Sequence, residues 1–386
     1  MITLARRLDA VRGSAIRDLL TLTARPEVIS LAGGLPAADL LPRERIATAA
    51  ADALTDPSST QYAETAGIAR LREAIAAHES ARCGRPFGAA DVVVTSGSQQ
   101  ALDLVARAVL DTGDAVVLED PAYVGALQVF QAAGAELHGV PVDEEGMCVD
   151  TLAQRLAAGL RPRLVHTVSS FHNPRGVTLA QDRRGALAAL AERYGFLVVE
   201  DDPYGLLAFD GVPAVPVAAH GDRVIRLGSA SKIIAPALRV GWLTGPPTVL
   251  AAVELLRQGA DLCGSSFTQA IAAELLADTA WLNGHLTNVR TVTALRARAF
   301  TDAVARDLPD VTCSTPTGGM FCWLEFPGDV DTAELLPRAL SAGVAFVPGT
   351  AFAVHADQTR AARCCFASVD EPTLAEAVAR LASCVS

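Results

Sequence analysis

The chain has 386 residues and a formal net charge of −11 at pH 7. This acidic balance disfavours a general surface for nucleic acid or for an anionic membrane, so we expect neither as a partner. No apolar run approaches the about 20 residues of a membrane helix, and residues 1–10 lack the apolar stretch of a signal peptide. The eight cysteines form no Cys-x-x-Cys pair, and the seven histidines are scattered. We therefore expect a cytoplasmic protein with reduced thiols and no metal site.

The pattern of apolar residues divides the chain into three stretches. Residues 1–41 are predicted to form an N-terminal arm and helix. In residues 42–278, helical stretches alternate with short valine- and leucine-rich runs, which predicts an α/β fold whose mostly parallel sheet is covered by helices. Residues 279–386 are predicted to hold a connecting helix and a smaller α+β domain. We expect the active site between the two domains, a common place for small-ligand clefts.

The first candidate site follows a predicted strand at residues 91–95. That strand leads into Ser96, Gly97, Ser98 and Gln99 and then into an apolar helix. Unpaired backbone N–H groups and the helix dipole meet at such a helix start, which favours an anion. The same pattern is also typical of a plain helix cap.

Two further predicted strands end in polar side chains. Residues 164–170 form a β-branched run that leads to Asn173 in an Asn-Pro turn, where an amide donor becomes available. Residues 196–199 form an apolar run that leads to Asp201, with Tyr204 three residues later. Ligands bind beyond the carboxyl ends of such strands, although Asp-Asp-Pro-Tyr by itself is an ordinary solvated turn.

Lys232 stands among small and hydroxyl residues after a predicted strand at residues 224–227. Ser229, Ser231 and Arg239 are its neighbours in sequence, and no carboxylate lies between the lysine and the arginine. Hydroxyls and a fixed cation can hold a phosphate. A lysine beside a bound phosphate ester suggests a Schiff base to pyridoxal 5′-phosphate (PLP). For a lysine taken alone, a solvated loop is the simpler interpretation.

The last stretch is predicted to begin with a proline-free helix at residues 279–307. A strand is predicted at residues 318–326, a helix at 332–342 and a strand at 361–368, which carries Arg363. By its position alone, Arg363 is an ordinary surface charge at the start of a strand.

The order of these features resembles that of the fold-type-I PLP aminotransferases, over nearly the whole chain. The chain is most similar to the 2-aminoadipate aminotransferase group of the class I/II family and to the effector domain of MocR-type regulators. The segments that carry the resemblance are ISLAGGLP at 29–36, Gln61-Tyr62 with Gly67, TSGSQQALD at 95–103, PTGGMF at 316–321 and VAFVPG at 344–349.

The resemblance implies a role for each candidate at the cofactor. Lys232 would form the internal aldimine with PLP and then move a proton between the substrate's α-carbon and the cofactor. Asp201 would bind the pyridinium nitrogen, while Asn173 and Tyr204 would hydrogen-bond the ring oxygen. Tyr123, in an Asp-Pro-Ala-Tyr segment, would stack on the ring. The phosphate would be held by Ser98, Gln99, Ser229, Ser231 and Arg239.

The resemblance also implies substrate contacts and a second subunit. Arg363 would bind the substrate α-carboxylate, since a planar guanidinium meets a carboxylate with two bonds. Gly34 and Arg17 would also contact the substrate, with a solvated helix arginine as the alternative for Arg17. Tyr62 would reach the phosphate of the neighbouring subunit, so a homodimer with shared active sites is expected.

Four positions depart from the family pattern. His172 and Arg175 replace the glutamine and threonine of the usual Gln-Asn-Pro-Thr-Gly turn. Ala230 replaces the aromatic residue usual before the Ser-Lys pair, and Ala237 replaces the glycine usual after Ala-Pro. None of these changes removes a catalytic group. His172 and Arg175 are expected to alter the polarity of the active-site rim, which leaves the amino donor open.

The sequence thus predicts a PLP-dependent aminotransferase that moves an amino group between an α-amino acid and a 2-oxo acid by ping-pong chemistry. The alternative is another PLP reaction, by a lyase, a cyclase or an oxidative deaminase, because the same residues serve all of them. A third hypothesis is a non-catalytic, ligand-sensing module of a MocR-type regulator. The chain is acidic and begins almost directly with the aminotransferase-like arm, so we do not expect the DNA-binding domain of such a regulator.

Overall fold

The computed structural model describes residues 27–385. Its α-helices are α1 (Arg43–Ala53), α2 (Ala69–Cys83), α3 (Ser98–Val109), α4 (Val124–Ala132), α5 (Val149–Ala157), α6 (Gln181–Tyr194), α7 (Pro247–Ala260), α8 (Ser266–Ala277), α9 (Thr279–Asp307), α10 (Thr332–Ser341) and α11 (Glu371–Val385). Its strands are β1 (Ile29–Ser30), β2 (Val93–Thr95), β3 (Ala115–Asp120), β4 (Glu136–Asp143), β5 (Gly146–Met147), β6 (Leu164–Thr167), β7 (Leu197–Asp201), β8 (Val224–Ser229), β9 (Gly241–Thr244), β10 (Thr312–Cys313), β11 (Phe321–Glu325), β12 (Val344–Ala345), β13 (Val347–Pro348) and β14 (Ala361–Cys365). Short 3-10 helices lie at Pro57–Thr60, Ala89–Asp91, Gly205–Leu207, Val217–Ala219, Pro236–Leu238 and Gly349–Phe352.

The largest sheet has eight strands in the order β2-β9-β8-β7-β6-β3-β4-β5. The pairs from β8 across to β4 are parallel, whereas β9 is antiparallel to both its neighbours and β5 is antiparallel to β4. This arrangement confirms the predicted α/β fold with a mostly parallel sheet. Parallel strands end at one edge of a sheet, and ligands bind there. The residues that end β3, β6, β7 and β8 are Asp120, Thr167, Asp201 and Ser229.

Helices cover both faces of this sheet. Val116 and Leu118 of β3 are buried on one face, in an apolar cluster with residues of α3, α4 and α7. Val117, between them, is buried on the other face, in a cluster with residues of α5 and α6. Alternate residues of a strand point to opposite faces, so a strand buried on both sides is apolar at successive positions. The valine-rich runs predicted these strands for that reason.

The C-terminal part forms a four-stranded antiparallel sheet in the order β10-β11-β14-β13. The predicted connecting helix is confirmed as α9, with the bounds expected from the sequence. Arg363 lies on β14, opposite Trp323 of β11. Strand β1 pairs in parallel with β12, so the segment near Ser30 is joined to the C-terminal part. The division of the chain after residues 41 and 278 stays a prediction.

One boundary differs from its prediction in a way that matters for the site. The strand expected at residues 91–95 begins at Val93, because the Asp91 carboxylate accepts a hydrogen bond from Gly88 N–H at 2.8 Å and closes a 3-10 turn. The following helix begins at Ser98, so its first turn holds the polar residues of the predicted anion site.

Within residues 27–385, every helix is too short or too polar to cross a lipid bilayer.

Candidate active site

Three consecutive carboxylates, Glu200, Asp201 and Asp202, lie buried at the end of β7. Glu200 accepts a hydrogen bond from Val217 N–H at 2.9 Å, and Asp202 accepts one from Arg226 Nη2, also at 2.9 Å. Burial by itself raises the pKa of Asp202, but Arg226 and two further arginines lower it to about 2. Asp201 Oδ1, in contrast, has no hydrogen-bond partner within the described part of the chain. Glu200 and Asp202 therefore have partners within the protein, whereas Asp201 has an oxygen available to a ligand.

The other oxygen of Asp201 faces a buried histidine. His166 Nε2 lies 3.8 Å from Asp201 Oδ2, across the parallel pair of β6 and β7. A buried carboxylate with an unsatisfied oxygen fits an N–H donor such as a protonated pyridine nitrogen. The sequence analysis misses His166. Its signal is a titratable side chain inside an apolar strand that neighbours the strand leading to Asp201.

Lys232 lies in the loop after β8. Its Nζ donates a hydrogen bond to the Gly34 carbonyl at 2.7 Å, which brings the predicted substrate-binding glycine to the lysine. Burial lowers the pKa of Lys232 to about 8; Cys365 acts in the opposite direction, and the charges of Arg363 and Arg239 add to the decrease. An amine with this pKa is partly neutral near pH 7, as a nucleophile has to be.

The predicted anion site is formed by the start of α3 and the loop that carries Arg239. Arg239 Nη2 donates a hydrogen bond to the Ser96 carbonyl at 2.9 Å. Gly97 has φ +85°, and a Cβ at this position would lie 2.5 Å from the same nitrogen. Only glycine suits this backbone and this close approach. Ser98 and Gln99 are the first two residues of the helix, so their backbone N–H groups have no hydrogen-bond acceptor within it. They can therefore donate to a phosphate.

Ser229 and Ser231 lie at the start of the segment that leads from β8 to Arg239. Ser229 ends β8, and its Oγ accepts a hydrogen bond from Ser231 N–H at 3.1 Å. Both side chains are largely buried. Their hydroxyl protons are free to point toward an anion.

Two tyrosines, Tyr204 and Tyr123, lie near Arg363, whose charge also affects the pKa of Lys232. Tyr204 is buried and packs edge-on against Phe321, with the ring centroids 5.9 Å apart. The Tyr123 hydroxyl donates to Gln99 Oε1 at 3.0 Å. Burial raises the pKa of Tyr123 to about 12, and the negative charge of Asp201 adds to this increase. The pKa of Tyr204 is also raised by burial, so both phenols stay protonated and act as donors.

Arg363 is buried and surrounded by uncharged groups. Its Nη1 donates to Asn173 Oδ1 at 2.8 Å and its Nη2 donates to the Ala32 carbonyl at 2.6 Å. The guanidinium carbon lies 4.3 Å from the ring centroid of Phe321 and 5.1 Å from that of Phe352. Its Nε has no partner, and it forms no salt bridge within residues 27–385. A buried guanidinium without a protein carboxylate suits a carboxylate on a ligand. Phe352 is a second residue that the sequence analysis misses, because a lone aromatic in a loop gives no signal.

Two predicted residues are not brought to this site within the described chain. Tyr62 is 80% exposed and lines an open groove of about 550 Å³ with Asp261 and Phe267. Arg17 lies outside the described residues.

The two substitutions in the asparagine turn lie in different environments, and only His172 differs from its expected position at the rim. His172 is buried, with its Nε2 3.0 Å from Glu119 Oε2, so it does not alter the polarity of the rim. Arg175 Nη1 lies 3.5 Å from Glu325 Oε1, near the far end of β11. Both side chains are directed to protein partners, because each has an acidic residue within reach on a neighbouring strand.

Comparison with known proteins agrees with this geometry. The family model of the class I and II aminotransferases matches residues 26–381. The chain is 39% identical to aromatic-amino-acid aminotransferase 1 of Thermococcus litoralis, over 97% of this chain and 92% of that protein. It is 38% identical to 2-aminoadipate transaminase of Thermus thermophilus, over 96% of this chain and 93% of that protein. The crystal structure of Pyrococcus horikoshii kynurenine aminotransferase, in complex with PMP, superposes with a TM-score of 0.93 at 38% identity and covers 99% of this chain and 96% of that chain.

The described residues fit the cofactor of this family: an unsatisfied buried carboxylate for the ring nitrogen, the protonated phenol of Tyr204 for the ring oxygen, a lysine of lowered pKa and a helix start for the phosphate. The chain belongs to the class I and II aminotransferases and is a fold-type-I enzyme that uses PLP.

Proposed function

We propose that the chain transfers an amino group from an α-amino acid to a 2-oxo acid in a ping-pong reaction. One observation supports this proposal above the others. Asp201 is a buried anion without a lysine or arginine partner, and Arg363 is a buried cation without a carboxylate partner, within residues 27–385. Both charges act on the pKa of Tyr123, so they belong to one site. Because unpaired buried charges are costly, the site suits ligands that carry the opposite charges.

PLP supplies an aldehyde that accepts the amino group and a ring that withdraws electrons from the α-carbon. In the proposal, Asp201 keeps the proton on the ring nitrogen. Lys232 Nζ would hold the cofactor through its aldehyde carbon, and as a free amine it would take the proton from the substrate's α-carbon and return it. Asn173 and Tyr204 donate hydrogen bonds to the ring oxygen, and Tyr123 lies against the ring face.

The remaining proposed contacts place the phosphate and the substrate. The groups assigned to the phosphate are Ser98, Gln99, Ser229, Ser231 and Arg239. Arg363 binds the α-carboxylate with its planar fork, and its hydrogen bond to Asn173 links carboxylate binding to the ring oxygen. Gly34 is assigned to the substrate because its carbonyl accepts a hydrogen bond from Lys232 Nζ at 2.7 Å.

A homodimer with shared sites is also part of the proposal. Tyr62 is 80% exposed, and Leu262, between two residues of the groove that Tyr62 lines, is 50% exposed. Large apolar side chains that are exposed together are typical of a surface that another protein covers. We assign Tyr62 to the phosphate of the neighbouring subunit.

The amino donor is proposed from the relatives. Those named above act on aromatic amino acids, 2-aminoadipate and kynurenine. We therefore expect the donor among amino acids with aromatic or long side chains, with Arg17 as a predicted contact for a side-chain carboxylate.

The test is a panel of aromatic amino acids, kynurenine and 2-aminoadipate, each combined with 2-oxoglutarate or pyruvate. We expect glutamate or alanine to form, and we expect the cofactor's spectrum to change with donor alone and to return with acceptor. Lys232→Ala is expected to be inactive. Ammonia release without an acceptor would point to a lyase or an oxidative deaminase, and an active Lys232→Ala variant would contradict the assigned catalytic role.

A further inference from the structure

We propose that Glu119 and Asp120, the last two residues of β3, are positioning residues that hold Arg363 in its substrate-binding orientation from two sides. The inference rests on the proposed function, in which Arg363 binds the substrate α-carboxylate. Neither carboxylate touches the guanidinium itself. Each holds a loop that does.

Glu119 holds the loop that carries Asn173. Its carboxylate is buried and accepts hydrogen bonds from Thr167 Oγ1 at 2.7 Å and from Val168 N–H at 2.9 Å. The third contact is with His172, whose Nε2 lies 3.0 Å from Glu119 Oε2. Burial by itself raises the pKa of Glu119, but His172 and these hydrogen bonds bring it below its usual value, so the carboxylate stays charged.

His172 transmits this anchoring to Asn173. Its Nδ1 accepts a hydrogen bond from Arg175 N–H at 3.3 Å, while its Nε2 lies 3.0 Å from Glu119 Oε2. The backbone of His172 also closes the turn, donating to the Val177 carbonyl at 2.7 Å. The next residue is Asn173, whose Oδ1 accepts from Arg363 Nη1 at 2.8 Å. The contact between Glu119 and His172 therefore sets the position of Asn173, which is one hydrogen-bond partner of the Arg363 guanidinium.

Asp120 holds the loop that carries Phe352. Its carboxylate accepts hydrogen bonds from three successive backbone N–H groups, those of Val354 at 3.1 Å, His355 at 2.8 Å and Ala356 at 2.8 Å. Phe352 is fully buried and its ring lies 5.1 Å from the guanidinium carbon of Arg363. Asp120 thus attaches the loop that supplies this ring to the end of the large sheet. Two further contacts join them: Ala122 N–H donates to the Phe352 carbonyl at 2.7 Å, and His355 Nε2 lies 2.9 Å from the Leu137 carbonyl.

The geometry of β3 allows both contacts at once. Consecutive residues of a strand point to opposite sides, so two adjacent carboxylates reach two different loops. The neighbouring strand leaves room for the second one, since a Cβ at Gly139 would lie 2.7 Å from Asp120 Oδ2. Glu119 and Asp120 therefore act on Arg363 through two different partners, Asn173 and Phe352.

Glu119→Gln and Asp120→Asn test this inference in the holoenzyme. We expect each to raise the KM of the amino donor by about three- to tenfold, the worth of one well-placed hydrogen bond, while kcat and PLP affinity change by less than about twofold. Asp114→Asn, just before the opposite end of the same strand, is the matched control and is expected to leave all three unchanged.

A double-mutant cycle separates positioning from a general loss of structure. In an Arg363→Lys background the planar fork is gone, so both substitutions are expected to lose their effect on KM. The same fold-increase in that background, an equal fall in kcat, or an unchanged KM in the single variants would overturn the inference.

If the strand-end variants do not fold, His172 carries the test. His172→Gln keeps an N–H donor toward Glu119 and is expected to keep the wild-type KM, whereas His172→Leu is expected to raise it. Equal KM values for these two variants would contradict the inference. A wild-type enzyme that is inactive with every donor would contradict the proposed function instead.

Discussion

Asp201 and Arg363 are buried residues of opposite charge. Within residues 27–385, Asp201 has no lysine or arginine partner and Arg363 has no carboxylate partner. The carboxylates on either side of Asp201 are held by backbone N–H groups or by Arg226. Each of these two unpaired buried charges lowers the stability of the folded protein. Ligands that bind there recover this loss, so we expect the cofactor to contribute to the stability of the enzyme.

Lys232 gives a pH dependence whose direction follows from its pKa of about 8. The neutral amine is the reactive form, and at pH 7 it makes up about one tenth of the population, against about one in 2500 for an ordinary lysine. We expect the rate at which the apoenzyme takes up PLP to rise as the pH is raised toward about 8 and to level off above it, as followed by absorbance. Lys232→Ala serves as the control, because it keeps the phosphate site but has no amine to react with the PLP aldehyde. A rate that keeps rising to pH 10 would show that the amine has an ordinary pKa.

At the scale of elements, the start of α3 brings two local features together in the proposed phosphate site. The helix supplies free N–H groups at Ser98 and Gln99, and Gly97 allows the Arg239 guanidinium to lie against the turn. The anion is then held by a helix dipole and a cation that belong to segments far apart in the chain.

Gly97→Ala tests this element. The new Cβ would displace Arg239, so we expect PLP affinity to fall by about tenfold or more. Gly84→Ala is the matched control: Gly84 also has a positive φ, 64°, but a Cβ there meets nothing within 4 Å. Both variants should lose about 1–2 kcal/mol of stability from backbone strain, and only Gly97→Ala should lose cofactor affinity. Equal affinities in the two variants would remove the turn from the phosphate site.

At the scale of the whole molecule, the question is which surface a second subunit covers. Tyr62 lines an open groove with residues 261 and 263–267, near the exposed Leu262. A side chain that points out of its own subunit contributes to a site only if a partner supplies the rest of it. The proposed dimer satisfies this condition.

Mixed dimers test the shared site. Lys232→Ala and Tyr62→Ala are each expected to be impaired, and a dimer of one with the other holds one site with both wild-type residues. Random exchange makes about half of the dimers mixed, so we expect about a quarter of wild-type activity to return on mixing. Activity that stays at the mean of the two separate variants would place Tyr62 outside the neighbouring site.

The sequence by itself determined several strands of the large sheet, the order of the site features and the family resemblance. Strands such as β7 were predictable because burial on both faces requires apolar residues at successive positions. The glycine before α3 and the asparagine turn were predictable because backbone conformation is a local property.

Only the tertiary structure decided which of the three carboxylates at the end of β7 is available to a ligand. The partners of Glu200 and Asp202 come from distant segments, as Arg82 lies 120 residues from Asp202. The same holds for Arg363, which meets Asn173 across 190 residues, and for His172, whose predicted place at the rim was wrong because Glu119 holds it in the interior. Charge pairing depends on contacts between remote parts of the chain, and no local pattern of residues records them.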